Sequence, residues 1–550
     1  MRVGVTLYLG TPISPVELDS IKHVATSMTE AIAARHEVVF LPPAYSYASR
    51  RDAVGMCEEF VQNSDVIVGC PSGQLLSIRQ RLGRNVPMAG LLLGVLPRGG
   101  WGFDVQVPFL NTNDILVPNC TADQELLDKF VVNASSRVLP FAYDDKTYYS
   151  VDEAERASLR QRLGFRPEDR LLVYIGRITL QKNVHTLLKV FSAVQKVVPD
   201  ACLVIAGPTV EHGSPEFGIT PVNLAGTVKR LIAKLQIPED RIQMFGNLHP
   251  DSLRMLYNLA EVKVNMTLHH DENFGLSQVE AMACGAPVVG TAWGGLKDTV
   301  VDGVSGYKVS TSVTPMGIKA NWWEAVNRIV AILRDPAERE RLRESSVRHA
   351  VENYSHARHQ ATLLEILDAM KEGSARPAEP LQASEFGKEF WGGAGRAPHL
   401  RGERSYELYQ ELMHPITAPS AQLVPHGEAL DAGQVVCLAA PVTDGENGTC
   451  VIDDPMYPFD LEVPRAHRGA FGAVLAALRE EPAMTVERLS GALADHPGAA
   501  GTLAWMLETG LLLRTAPVEG WVAPGEIDRR LSEPLFRIRR LEKDTDFVVY

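Results

Sequence analysis

The sequence has no long apolar run, no paired-cysteine motif and no surplus of basic charge. No stretch reaches the roughly 18–20 apolar residues that a membrane span needs. The longest candidate, Met88–Pro97, is short and contains glycine. The first ten residues, MRVGVTLYLG, lack a basic region, a long apolar core and a small-residue cleavage site, so no secretory leader is expected. The 7 cysteines are odd in number and none forms a CxxC. That pattern predicts buried thiols in a reducing, cytoplasmic compartment rather than a disulfide framework or a structural zinc site. Acidic residues outnumber basic ones, 67 to 54, for a formal net charge of -13. Such a balance argues against nucleic acid or an anionic membrane as a broad partner.

What is present is an ordinary soluble composition, 45% apolar and 22% charged over 550 residues, enough for roughly three or four domains. RVGVTLYL and EVVFLPP read as strands around a helix with apolar positions at helical spacing, SIKHVATSMTEAIAARHE. SDVIVGC, MAGLLLGVL and DILVPNC continue the series. The pattern restarts at RLLVYIGR and alternates strand and helix through APVVGTA and GYKVS. Alternation of this kind predicts an α/β chain with parallel sheets covered on both faces, in two Rossmann-like halves. The expected boundaries are 1–155 and 156–372, the second closed by a long helical stretch. Residues 373–430, with GSARPAEPLQAS and HPITAPSAQLVPHG, read as a Pro-, Ala- and Ser-rich linker region. Residues 431–550 read as a mostly α accessory domain. Its clearest part, MTVERLSGALADHPGAAGTLAWMLETGLLLRT, is helix, turn, helix, a stop at Gly510 and an apolar strand, a winged-helix-like pattern. The second helix, the one that would read DNA, holds no Lys or Arg, so phosphate contact is not expected there.

The stretch HHDENFGLSQVEAMACGAPVVG, His269–Gly290, carries the chemistry. VKVNMTL is a strand and LSQVEAMA a helix, so the loop between them lies at the carboxyl edge of a sheet, where α/β proteins bind ligands. Phe274, Gly275 and Leu276 begin the helix, whose free N–H groups and positive dipole suit a phosphate. Gly275 allows close backbone approach. A carboxylate is a poor phosphate ligand but a good acceptor for vicinal hydroxyls. Glu272 before the phosphate site and Glu280 inside the helix fit a phosphate with a sugar on either side, a sugar nucleotide. Taken alone, both carboxylates are equally readable as solvated charges.

Residues 272–287, ENFGLSQVEAMACGAP, resemble the E-x7-E signature of retaining GT-B glycosyltransferases, glycosyltransferase family 4 in particular. WGGLKDTVVDGVSGYKV resembles that family's Gly-Gly-x-x-Glu stretch, with Asp298 where Glu is usual. VYIGRITLQKN resembles its G-R-x-x-x-x-K segment, and AGP at 206–208 and FGNL at 245–248 match its strand-end glycines. The resemblance covers roughly residues 1–372 and implies a GT-B fold. It implies that Glu272 holds hydroxyls of the donor sugar, that Arg177 and Lys182 bind the diphosphate, and that Glu280 holds the ribose. Gly275 and Leu276 would add N–H donors, and Asn247 and Leu248 would lie near the base. The donor would be a UDP-, GDP- or ADP-sugar, with no metal and no other cofactor, and configuration would be retained. The acceptor would be a peptide, protein or small metabolite, recruited through the C-terminal domain.

Other readings stand beside these. HHDE suggests a metal, but ligands adjacent in a row rarely converge on one ion. His270 can instead be read as a contact to sugar or acceptor. PRGGWGF, 97–103, is either a loop over the cleft or a plain turn. The first half departs from the family: its first strand is followed by a single glycine, Gly10, and Leu96, Pro97 and Arg98 stand where the family has a cleft histidine. That departure also suits a second reading, a catalytically inactive sugar-nucleotide-binding scaffold or sensor. A transcriptional regulator is a third, resting on the helix-turn-helix-like tail.

Overall fold

The computed structural model describes residues 1–6, 19–41, 49–94, 96, 100, 102–209, 223–269, 272–314, 317–373, 377–394, 403–417, 431–444, 448–452, 460–516, 520–526, 531, 538–540 and 547–549. Among them, no helix is long and apolar enough to cross a membrane.

The first half is a six-stranded parallel sheet. Its strands are β1 (Arg2–Thr6), β2 (Glu37–Phe40), β3 (Val66–Gly69), β4 (Met88–Leu92), β5 (Ile115–Pro118) and β6 (Ser135–Ser136), in the order β2-β1-β3-β4-β5-β6. The inner strands read VIVG and MAGLL and are buried along their whole length, as expected for a sheet covered on both faces. Helix α1 (Asp19–Ala33) covers one face, and α2 (Thr121–Phe130) leaves the carboxyl end of β5.

The second half repeats the plan. Strands β7 (Arg170–Ile175), β8 (Ala201–Ala206), β9 (Ile242–Phe245), β10 (Val262–Asn265), β11 (Val288–Thr291) and β12 (Gly306–Val309) run parallel in the order β9-β8-β7-β10-β11-β12. That is a doubly wound sheet, and its strand order reverses between β7 and β10, where such sheets open a ligand crevice. Helices α3 (Val184–Val197), α4 (Pro250–Leu259) and α5 (Leu276–Ala283) flank it, followed by α6 (Trp322–Arg334), α7 (Pro336–Tyr354) and α8 (His356–Gly373). Together the halves make the two-domain GT-B arrangement, α/β overall.

Chain order and spatial order part company at α8. It follows the second half in sequence, yet Leu363, Leu364, Ile366, Leu367 and Met370 join Val3, Val5, Val68 and Leu91 in the core of the first. The linker region also carries structure on that half. Gln382 and Ala383 pair antiparallel with Val132 and Val131, and Trp391 stacks on Phe130 at 4.9 Å. Beyond a helix at Glu403–Met413, Ile416 accepts a hydrogen bond from Gly294 N at 2.8 Å, which brings the chain back to the second half.

The C-terminal region is largely helical. Strand β13 (Val435–Leu438) precedes three short antiparallel strands at Val442–Asp444, Thr449–Ile452 and Asp460–Glu462. Helix α9 (Arg468–Glu480), strand β14 (Ala483–Thr485), helices α10 (Val486–Ala492) and α11 (Ala499–Glu508) and strand β15 (Leu512–Thr515) follow. Gly510, at φ 78, stops α11 in the left-handed conformation that glycine tolerates. The sheet order is β14-β13-β15, so its central strand enters from upstream of the helices. This region is fixed to the second half. Trp322 Nε1 donates to Leu438 O at 2.9 Å, Asn321 Nδ2 to Thr515 Oγ1 at 2.8 Å, and Val522 N to Asn327 Oδ1 at 2.7 Å.

Candidate active site

The loops leaving β7 and β10, on either side of the reversal, are tied together. Gln181 O accepts from Leu268 N at 3.0 Å and from the Thr267 hydroxyl at 3.4 Å. Lys182 and Glu272 stand on these two loops and form an ion pair, with side chains only 17% and 12% exposed. Local backbone packing holds Glu272. Glu272 N donates to His269 O at 2.9 Å, and Glu272 O accepts from Gly295 N at 2.9 Å. A Cβ on Gly294 would stand 2.3 Å from Glu272 O, and one on Gly295 would stand 2.1 Å from Asn273 O. The paired glycines of WGG are thus required by the backbone of the Glu272 loop.

Gly275 is the N-cap of α5 with φ 80, and Leu296 Cδ2 would lie 2.3 Å from a Cβ placed there. The first N–H groups of α5, at Leu276 and Ser277, have no intrahelical acceptor. Phe274 is a core residue: its ring packs on Phe141 at 5.4 Å and Tyr354 at 5.5 Å and is 3% exposed. What it offers a ligand is therefore its backbone. One turn into α5, the Glu280 carboxylate accepts from Tyr257 Oη at 3.3 Å. Burial pushes the Glu280 carboxyl up to about 7, against the lowering effect of the Tyr257 hydroxyl and Lys263. Arg177 follows β7 through Gly176. It is half-buried, and its carbonyl accepts from the Tyr174 hydroxyl at 2.8 Å. Asn247 is exposed and Leu248 half-buried, just beyond β9. Gly207, at φ 140, exits β8 against Gly176: a Cβ there would stand 2.1 Å from Gly176 O.

Two side-chain contacts cross between the halves beside this cluster. Asn273 Nδ2 donates to Asn119 Oδ1 at 2.9 Å. Asp298 accepts from both the backbone N–H and the hydroxyl of Thr121, at 2.7 and 2.6 Å, and so caps α2 of the opposite half. Sequence reasoning missed Asn119 and Thr121, for which no local signal exists. It also missed Lys263, whose signal is a charged residue in the middle of the buried strand EVKVNMTL. His270, Pro97, Arg98 and Gly10 lie outside the described residues. Leu96 is buried in the first-half core, and His269 is 8% exposed with its carbonyl accepting from Trp293 Nε1 at 2.8 Å. Among the described residues, no group of three or more His, Cys, Asp or Glu could hold a metal ion.

The arrangement is two carboxylates, Glu272 and Glu280, on either side of a helix N-terminus, with Lys182 paired to the first. Residues 155–348 match the family model of Glycosyl transferases group 1. D-inositol 3-phosphate glycosyltransferase of Mycolicibacterium gilvum is 38% identical over 152 residues, 28% of this chain and 31% of that protein. Alpha-maltose-1-phosphate synthase of Mycobacterium tuberculosis is 30% identical over 218 residues, 39% of this chain and 51% of that protein. The match therefore spans about a third to about half of the length of these curated relatives. Among solved structures, HepE of Anabaena in complex with UDP superposes with a TM-score of 0.51 at 17% identity, over 67% of this chain and 99% of that one. The second half thus carries the sequence likeness of a group 1 glycosyltransferase, and the two halves together carry the GT-B fold.

Proposed function

We propose that this chain transfers a sugar from a nucleotide-sugar donor to an acceptor, with the donor bound on the second half. The observation that carries the reading is the Lys182–Glu272 ion pair at the strand-order reversal, beside the N-terminus of α5. In this ion pair the two charges satisfy each other. An arriving diphosphate competes for Lys182, and release of Lys182 leaves Glu272 free to accept hydroxyls of the donor sugar. Arg177, Lys182 and the N–H groups of Leu276 and Ser277 then face the charge that develops on the leaving diphosphate. Fixed donors of this kind lower the barrier, and loss of one costs about 2.7–4 kcal/mol. Glu280 takes the ribose, and Asn247 and Leu248 lie toward the base. Transfer proceeds with retention, a diphosphate oxygen assisting removal of the acceptor proton, and no metal takes part.

The donor is a UDP-, GDP- or ADP-sugar, and the bound UDP of the Anabaena neighbour favours the first. The acceptor is a peptide, protein or small metabolite presented on the first half and recruited through the C-terminal region. The test is a panel of the three nucleoside diphosphates and their sugars, read by binding and by donor hydrolysis. Glu272→Gln is expected to abolish turnover while leaving the fold intact, and full activity in that variant overturns the reading. Nucleotide binding with neither transfer nor hydrolysis would mark the chain instead as an inactive sugar-nucleotide sensor.

A further inference from the structure

Lys263 sits in the middle of β10, between Val262 and Val264, and is fully buried. Its strand neighbours in register are Val173 and Val288. A buried charge carries a desolvation cost that a third valine would avoid, and it persists in proteins where it is paired and hydrogen-bonded. The partners of Lys263 all belong to the candidate site. Its stem runs from the level of Val173 toward the carboxyl edge, where Nζ donates to Ile175 O at 3.1 Å. The ammonium lies 4.9 Å from the centre of the Tyr174 ring, a distance at which a cation and an aromatic face attract. The same Tyr174 donates its hydroxyl to Arg177 O at 2.8 Å. Lys263 and Tyr174 therefore hold the two ends of the Ile175–Gly176–Arg177 turn. Burial pushes the Lys263 ammonium down to about 7; Glu280 and Glu272 attract its charge and Lys182 opposes it. The other ionisable groups around this pair are Tyr257, Asp144 and Cys284, with Arg254 beyond Cys284.

From this geometry we infer that Lys263 is a positioning residue for the donor site: it clamps the turn that presents Arg177, and as the buried cation of the site it favours the charged form of Glu280. Lys182 cannot serve in the second role, because it is paired with Glu272 and is needed at the diphosphate. Lys263 has no open path to a ligand, so it acts through Arg177 and Glu280. The inference rests on the donor-site reading above, but its electrostatic part can be read in the protein alone.

The experiment compares wild type, Lys263→Met and Lys263→Gln as full-length chains, with folding checked by circular dichroism. In the ligand-free protein, the infrared band of the protonated Glu280 carboxyl, assigned by its loss in Glu280→Gln, is followed against pH. A buried opposite charge holds a carboxyl down, so both Lys263 variants should move its midpoint up, by about one unit. The pH profile of UDP, GDP or ADP binding should move with it, for about a tenfold loss at pH 7 per unit. At alkaline pH, Lys263→Gln, which keeps a donor for Ile175 O, should bind like wild type, whereas Lys263→Met should stay weaker. An unmoved carboxyl midpoint together with unchanged nucleotide binding in both variants overturns the inference. A moved midpoint in a protein that binds none of the three nucleotides upholds the charge pairing and overturns the donor-site reading instead. Should Lys263→Met not fold, Lys263→Gln carries the charge comparison alone.

Discussion

Asp298 reaches from one half of the molecule to cap a helix of the other, and its charge is felt one turn into that helix. Asp123, on α2, is 1% exposed, and its Oδ2 has no hydrogen-bond partner. Burial, then repulsion from Asp298, pushes its carboxyl up to about 7, while Cys120 pulls it down. A carboxyl raised in the folded state gives its stabilising share below its unfolded value, near pH 3.8, and loses that share as pH rises through about 7. Asp123→Asn should therefore match wild type in acid and become more stable than it above neutrality, by up to a few kcal/mol. Denaturant midpoints measured across that range check this; a difference independent of pH would contradict it. Glu280 follows the same sign with a different readout. If its carboxylate accepts ribose hydroxyls, nucleoside diphosphate affinity should be constant above about pH 7 and fall by up to tenfold per unit below it. Calorimetric titration of Glu280→Gln should give a weak, flat profile over the same range.

At the scale of elements, the candidate site is built on glycines that let loops touch. The Trp293–Gly295 segment lies directly on the carbonyls of Glu272 and Asn273, and Ile416 O closes over it through Gly294 N. Gly295→Ala should displace the Glu272 loop by a sizeable fraction of an ångström. Misplacement of about 1 Å at a reacting centre costs on the order of 100-fold, so kcat/KM should fall by that order with little change in overall secondary structure. A full-rate Gly295→Ala enzyme would show that the loop has slack the packing does not suggest. The strand-order reversal explains why these particular loops matter. Neighbouring crossovers diverge at β7 and β10, and the gap between them is where Lys182 and Glu272 meet.

At the scale of the whole molecule, the C-terminal region does not hang from a free tether. Val435, Cys437, Ala483, Leu513 and Val522 share one continuous core with Trp322, Trp323 and Val326 of α6. A chain ending at residue 430 would expose that apolar face, and exposed patches of this kind drive association. Truncation should lower the melting temperature and raise binding of a hydrophobic dye, even before any effect on acceptor use is measured. An unchanged melting temperature would mean the region is a separable module.

The sequence by itself determined what rests on neighbours in the chain. Alternating apolar runs specified two α/β halves, because strand and helix periodicities are local. The loop before Leu276 marked the carboxyl edge of the second sheet, because a strand end, a glycine and a helix start follow one another within a few residues. Helix, turn, helix and strand were legible in residues 484–515 for the same reason. Only the tertiary structure decided the rest. It sends α8 back across to the first half, because its apolar stripe fits α1 and the first sheet, and a stripe does not name its partner. It turns Asp298 into a cap for a helix 177 residues away in sequence. It places Lys263 against Ile175 O and the Tyr174 ring, behind the turn that leads to Arg177, where an apolar strand pattern gives no reason to look. Spacing in a chain records which residues share a face; which faces meet is settled by packing over long range, and that is where these contacts were made.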